Sequence, residues 1–444
     1  MRVCLSTSLV GLGLMAAVGR AADVPRYVLP VGGQVVVEGT RHLVSGNKTQ
    51  LESVATYTVD VLSRRDDGAY RVVALVDSGG TAKDPKYGAM NIERVVEASV
   101  AYIHPGGQLE GEEDPLVNLA RLFPRLPANE QEWKKGWDDV SADHGRIMTF
   151  RSLGAPREGT MLLEGQVIGG MAWVFEPNVR YRMELDAANG LPRRLTLDNG
   201  LKDVPYATSG SFVARPVKML SAEAVKNLAG AANQYEQTMK AYRAEMKRPE
   251  HDMGRSAMVT SAHKAFDKAC KGLVARIQHD GGEGEAELKN ASNPMAPDPP
   301  GDAVLLRKQA EEWTLKDIDG KTHSLSDYRG KVVVLDFGDR GCSWCIRQMP
   351  QLVAMHDRMK DKGVVILGMA LDTEVADAAY VARGLRLPYT TLMAASLVGK
   401  YPVRGTPSVI LVDQQGMMRR QFVGYSMLGG EVMEAALEEL LNER

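Results

Sequence analysis

The stretch Lys331-Val-Val-Val-Leu-Asp-Phe337 leaves this chain little choice of architecture around it. It lacks the polar alternation of a half-solvated strand, so it reads as a strand buried on both faces. Directly after it comes Gly338-Asp339-Arg340-Gly341-Cys342-Ser343-Trp344-Cys345-Ile346-Arg347-Gln348-Met349-Pro350. Apolar spacing then turns helical from Cys345 to about Lys360, with Leu352, Met355 and Met359 on one side. Strands recur at Val364–Ala370 and Ser408–Val412, with helices near Val375–Arg383 and Glu431–Asn442. Trp313–Lys316 and Thr322–Leu325 flank Asp319-Gly320, a hairpin signal. Strands alternating with helices predict a central sheet covered on both faces, an α/β domain over residues 303–444.

Cys342 and Cys345 sit where that strand gives way to the helix. A sulfur at a helix start lies beside unpaired backbone N–H groups and the positive end of the helix dipole. Both favour thiolate over thiol, and the thiolate is the species that attacks a disulfide. The second cysteine, one turn inward, can then attack the mixed disulfide and release the reduced partner. Cys342 is therefore the expected nucleophile, Cys345 the resolving cysteine, and the two together a redox-active disulfide. A structural zinc site would need four ligands. No second cysteine pair exists, and His323 and His356 fit no familiar ligand spacing. No metal and no cofactor is expected.

The stretch resembles the thioredoxin superfamily, and within it the exported TlpA/ResA-like branch. Trp313-Thr-Leu-Lys-Asp-Ile-Asp-Gly-Lys321 and Leu325-Ser-Asp-Tyr-Arg-Gly-Lys331 look like that family's lead-in. Pro350 matches its helix-kinking proline, and Pro407 in Gly405-Thr406-Pro407-Ser408 matches its substrate-facing cis-proline. The resemblance implies a thiol-disulfide oxidoreductase acting on protein disulfide or thiol substrates. It favours a reductant supplied by a membrane thiol carrier, with an oxidase or isomerase direction left open. It also implies that the Thr406 backbone beside Cys342 can pair with a substrate strand. Trp344, between the cysteines, should cover one side of the disulfide, so Trp344, Thr406 and Pro407 form the expected substrate-binding surface. Asp336 stands where thioredoxins keep a buried carboxylate under the resolving cysteine. A carboxylate among valines and leucines is costly to bury charged, so its pKa should rise and it can accept the Cys345 proton.

Three departures stand out. Gly341 and Gly338 replace two tryptophans usual in the family, which suggests a more open and flexible platform. Gln348 replaces a glutamate common in the TlpA/ResA-like branch and cannot take a proton. A peroxiredoxin would carry Thr or Ser three residues before its reactive cysteine; here the residue is Asp339.

At 444 residues the chain is too long for one ordinary core, so a multidomain protein is expected. Arg2, the apolar run Leu5–Val18 and Gly19-Arg20-Ala21 read as a secretory signal peptide over 1–21, placing the mature protein in the periplasm or otherwise outside the cytoplasm. Residues 22–219 read as mostly antiparallel β, a half-barrel or sandwich of unknown role. Strands are expected at Gln34–Gly39, Ser53–Leu62, Tyr70–Val76, Arg146–Arg151, Met171–Phe175, Arg180–Leu185 and Arg193–Leu197. Turns are expected at Asp66-Asp67-Gly68, Ser78-Gly79-Gly80 and Ala188-Asn189-Gly190, and an irregular connection at Leu122–Pro127. Residues 220–280 turn helical. Val225, Leu228, Ala232, Tyr235, Met239, Tyr242 and Met246 form one stripe, with Ser221 as N-cap. Val259, Ala262, Phe266, Cys270, Leu273 and Ile277 form a second, making a helical hairpin that packs on itself or the β domain, or else joins two copies. Cys270 on that stripe reads as a buried, inert thiol. Residues 281–302 are Gly-, Pro-, Glu- and Asn-rich and read as a linker. A formal net charge of −2 gives no general attraction to nucleic acid. Oligomeric state is left open. A non-enzymatic alternative remains at this level: an envelope binding protein whose thioredoxin-like module is a redox sensor or scaffold.

Overall fold

The computed structural model describes residues 24–44, 50–84, 88–111, 119, 122–140, 147–154, 158–169, 179–200, 207–247, 255–281, 304–426 and 429–443. The expected leader, the Met171–Phe175 strand and all of the 281–302 linker except Gly281 lie outside them.

The N-terminal region is one antiparallel sheet. Its strands are β1 (Gly33–Val44), β2 (Gln50–Arg64), β3 (Tyr70–Asp84), β4 (Gly88–Ile103), β5 (Leu109–Gly111), β6 (Trp137–Val140), β7 (Ile147–Ser152), β8 (Thr160–Gly169), β9 (Arg180–Asp186), β10 (Pro192–Asp198), β11 (Thr208–Ala214) and β12 (Lys218–Met219). A short helix, α1 (Glu130–Lys135), precedes β6. The order β5-β4-β3-β2-β1-β11-β10-β9-β8-β7-β6 joins two meanders through the β1–β11 pair, with β12 added beside β1. Residues from distant strands, such as Val72 and Ile103 on one side and Trp137 and Phe150 on the other, share one core with Tyr27 and Phe123. The sheet therefore curls round that core, as in the half-barrel reading; a second sheet packed against it, as in a sandwich, is not present among the described residues.

Two expectations need correction here. Ser78-Gly79-Gly80 is no turn: β3 runs straight through it, with a register slip against β4 between Ser78 and Gly80. A Cβ at Gly80 would lie 2.0 Å from the Glu52 carbonyl oxygen, so the glycine serves the close approach of β2. Strands β4, β8 and β11 were not among those expected. In the described part of β4, Val96 and Val100 face outward while Ala101 and Ile103 face the core, so the strand is buried on both faces and shows no clean alternation.

The outer face of β2–β4 is covered by the hairpin of α2 (Ala222–Met246) and α3 (Arg255–Gly281). The Ser221 side chain caps α2 by accepting the Ala224 N–H. Leu228, Ala232, Tyr235, Met239, Tyr242 and Met246 are all buried, against Phe266, Cys270, Leu273 and Ile277 of α3 and Leu62, Val73, Leu75, Val96 and Val100 of the sheet. Arg71 pairs with Glu236 at 2.5 Å across that junction. The apolar stripe is thus used up within the chain.

The C-terminal region contains β13 (Val304–Gln309), β14 (Thr314–Lys316), β15 (Thr322–Ser324), β16 (Val332–Gly338), α4 (Ser343–Met359), β17 (Val364–Ala370), α5 (Val375–Gly384), β18 (Thr390–Met393), β19 (Ser408–Val412), β20 (Met417–Val423) and α6 (Gly429–Asn442). The main sheet has the order β13-β20-β19-β16-β17-β18, and β14–β15 is the expected hairpin. β16 runs parallel to β17 and antiparallel to β19, and every one of its residues is buried. This is the expected thioredoxin-like α/β domain. α4 begins at Ser343, two residues earlier than the apolar spacing suggests. Strands β13, β18 and β20 were missed: β13 and β18 are edges of the sheet, where strands carry weak patterns, and β20, paired between β13 and β19, interrupts its apolar residues with Arg419, Arg420 and Gln421.

Along β16 the pleat sends Val332 and Val334 to the face where Leu352 and Met355 of α4 pack, and Val333, Leu335 and Phe337 to the opposite core. Phe266 is 0% exposed and touches both Tyr235 and Tyr242. Phe266→Ala should destabilise the protein by ~3–5 kcal/mol, read as a lowered urea midpoint with little change in slope.

Candidate active site

The alternation of β16 places Asp336 and Gly338 on the same face as Val332 and Val334, toward α4. A Cβ at Gly338 would meet Cys345 Sγ at 3.1 Å and Cβ at 3.0 Å, so Cys345 packs directly on the strand end. The glycine that suggested an open platform is instead required by close packing. Gln348, one turn further along α4, donates from Nε2 to Asp336 Oδ1 at 3.3 Å. Cys345, Gln348 and Asp336 are all buried where α4 meets this face of the strand.

Cys342 is the N-cap of α4 and is disulfide-bonded to Cys345. Its sulfur accepts the Cys345 N–H at 3.0 Å, the contact a helix start offers to an anion. A turn delivers it there: the Gly341 N–H donates to Asp339 Oδ1 and the Cys342 N–H to the Asp339 carbonyl. Cys342 is half-buried, whereas Cys345 is 1% exposed.

The peptide bond Thr406–Pro407 is cis. Ser408 pairs with Phe337 in the β16–β19 ladder, so Pro407 falls opposite Gly338, beside the cysteine pair. The Pro407 carbonyl accepts the Gly424 N–H, while the Thr406 backbone makes no hydrogen bond among the described residues. Trp344 is 53% exposed, and its ring stacks on Tyr425, 5.5 Å between centroids. Every expected site residue thus lies at one end of the sheet. Tyr425, just beyond β20, was missed; it is far from the cysteines in sequence and belongs to no motif.

Asp336 is 3% exposed. Burial pushes its carboxyl up to about 7, against a small opposing effect of the Gln348 amide. Beside it lies a cavity of ≈ 20 Å³ bordered by Gly368, Thr391, Asp339 and Asp372. That is room for about one water. The Thr391 hydroxyl is buried there without a hydrogen-bond partner among the described residues, so the cavity is lined by the Asp336, Asp339 and Asp372 carboxyls and an unpaired hydroxyl. Gly368, level with Asp336 in the ladder, creates this space by having no side chain. Cys270 lies elsewhere, buried, its thiol pushed up to about 12 mainly by desolvation. Among the described residues no group of His, Cys, Asp or Glu could hold a metal.

A thioredoxin-like sheet with two linked sulfurs at the start of its first long helix defines a thiol-disulfide oxidoreductase. The curated relatives agree. Residues 306–421 match the model of the AhpC/TSA family. The thiol-disulfide oxidoreductase ResA of Bacillus anthracis is 31% identical over 123 residues, covering 27% of this chain and 71% of that protein. ResA of Geobacillus kaustophilus is 31% identical over 124 residues, covering 28% and 71%. Among solved structures, the thioredoxin domain of a thiol-disulfide oxidoreductase from Bacteroides vulgatus is 28% identical over 31% of this chain and 99% of that one, with a TM-score of 0.28. Through its C-terminal domain the chain belongs to the ResA-like thiol-disulfide oxidoreductases of the thioredoxin superfamily.

Two outcomes test this geometry. At Asp336 the native state holds a proton between about pH 4 and pH 7 that the unfolded chain has lost. Stability contributed by this group is therefore complete below pH 4, falls as pH rises through that window and levels off above about pH 7. The difference between about 7 and 3.8, at ~1.4 kcal/mol per pH unit, amounts to ~4 kcal/mol. Urea unfolding of Asp336→Asn across this range should lack that loss. Separately, Gly338→Val should destabilise the oxidised protein by ~1–3 kcal/mol through overpacking against Cys345, seen as a lower melting temperature.

Proposed function

We propose that the enzyme reduces protein disulfides outside the cytoplasm, with Cys342 as nucleophile, Cys345 as resolving cysteine and Asp336 as the base that serves Cys345. The observation that carries this assignment is the difference in exposure: Cys342 is half-buried at a helix start, Cys345 almost wholly enclosed against Gly338. An incoming disulfide can reach only the first sulfur.

In the reduced enzyme the Cys342 thiolate attacks one sulfur of the substrate disulfide. A mixed disulfide forms and the substrate's other sulfur leaves as a thiolate. Asp336 takes the Cys345 proton, and the new thiolate attacks Cys342 Sγ. The enzyme disulfide closes, the second substrate sulfur leaves, and two electrons have passed to the substrate. Asp336 suits its step because its carboxyl, pushed up to about 7, can hold a proton near neutral pH. The adjoining cavity supplies a route by which one water can carry the proton toward Asp339 and Asp372. Trp344, Thr406 and Pro407 bind the substrate: the indole covers one side of the disulfide, and the Thr406 backbone pairs with the substrate chain. The signal-like N-terminus and the ResA relationship support an extracytoplasmic setting, with a membrane thiol carrier restoring the dithiol. No helix among the described residues is long and apolar enough to cross a membrane.

With the full chain, Cys342→Ser should abolish turnover of a disulfide substrate, and Cys345→Ser should accumulate a covalent mixed disulfide visible on a non-reducing gel. The reduction potential should fall nearer ~−270 mV than ~−120 mV, as for reductants of this fold. Trapping by the Cys342→Ser variant instead would reverse the cysteine roles.

A further inference from the structure

The surface round the disulfide is electrically lopsided. On one flank, beyond β17, Arg340 is fully engaged. Its backbone N–H donates to Asp372 Oδ1, its guanidinium pairs with Asp377, and it lies 4.3 Å from the Tyr380 ring centroid. On the other flank, beyond β20, Arg347 lies over two aromatic rings, 5.3 Å from the Trp344 centroid and 6.0 Å from that of Tyr425. Arg347 has no carboxylate partner among the described residues, and neither has Arg404, on the loop leading into Thr406–Pro407. The strand order β20-β19-β16-β17 puts the two flanks on opposite sides of the cysteines.

We infer that Trp344, Tyr425 and Arg347 form a specificity site for a polypeptide segment that carries an acidic side chain next to its disulfide cysteine. The stacked rings face the guanidinium by cation–π contact, and Arg347 itself stays exposed to solvent. An aromatic shelf with a fixed fork of donors suits a carboxylate, bound through paired hydrogen bonds. The acidic flank beyond β17 repels the same group, so charge also orients the substrate across Cys342. This inference rests on the thiol-disulfide exchange proposed above and names the class of substrate for it.

The test uses the reduced full-length protein and two synthetic peptides with the same intramolecular disulfide, one with Asp and one with Lys beside the attacked cysteine. The neutral hydroxyethyl disulfide is a third substrate. At low salt the Asp peptide should react roughly tenfold faster than the Lys peptide, and the ratio should shrink at high salt. Arg347→Glu should invert the ratio. Tyr425→Ala should lower it, while Tyr425→Phe, which keeps the ring, should preserve it. A wild-type ratio of one, or a ratio unmoved by Arg347→Glu, overturns the inference even if hydroxyethyl disulfide is reduced. A protein that reduces none of the three overturns the proposed function and this inference with it.

Discussion

Asp336 stands in a strand whose other residues are valine, leucine, phenylalanine and glycine, and its side chain points to the face where α4 packs. Burying a carboxyl there is unfavourable, and only a strand held on every side can impose it. β16 meets that condition. It is paired with β17 and β19, packed by α4 on one face and by the Trp313–Phe337 core on the other. Each fully buried valine or leucine beside it contributes ~1.5–3 kcal/mol, enough in sum to offset one poorly placed acid. The same burial that costs stability gives the group a proton affinity useful near neutral pH.

The chemistry-bearing stretch was legible in the sequence because it obeys local rules. The uninterrupted apolar run required a doubly covered strand, and the paired cysteines beside a helical repeat located the helix start. Thr406–Pro407 was legible only through the family resemblance, and the ladder position of Ser408 explains why it belongs near the sulfurs. What escaped depends on contacts between distant segments. Nothing in Ser78-Gly79-Gly80 distinguishes a turn from a bulge until β2 comes within reach of Gly80. Gly338 looked like a lost aromatic because the packing of Cys345 on it exists only once α4 is docked. Tyr425 meets Trp344 across a fold that brings β20 to the same end as β16.

The helical hairpin does more than cover the half-barrel. The hydrophobic cluster that includes Phe266 and Leu273 continues through Leu352 and Met355 of α4 to Met433 and Leu437 of α6. Lys247 and Arg243 reach Glu431, at the start of α6, at 2.6 and 3.2 Å. These exposed or half-exposed ion pairs add little energy by themselves. The shared apolar core is the stronger tie, and it grips the helix whose first turn carries the cysteines. It also encloses Cys270, whose desolvated thiol has no means of forming a reactive thiolate at neutral pH.

Confinement of one sulfur and exposure of the other follow from the same few ångströms of packing. Gly338 lets Cys345 settle onto β16 and away from solvent. Cys342, three residues earlier, is then left at the helix end, where backbone N–H groups stabilise negative charge and where Trp344 and Pro407 border the approach. A side chain at 338 would push Cys345 off the strand and blur the difference in burial between the two sulfurs. The difference in exposure between the two sulfurs therefore follows from the absence of a Cβ at one position of a buried strand.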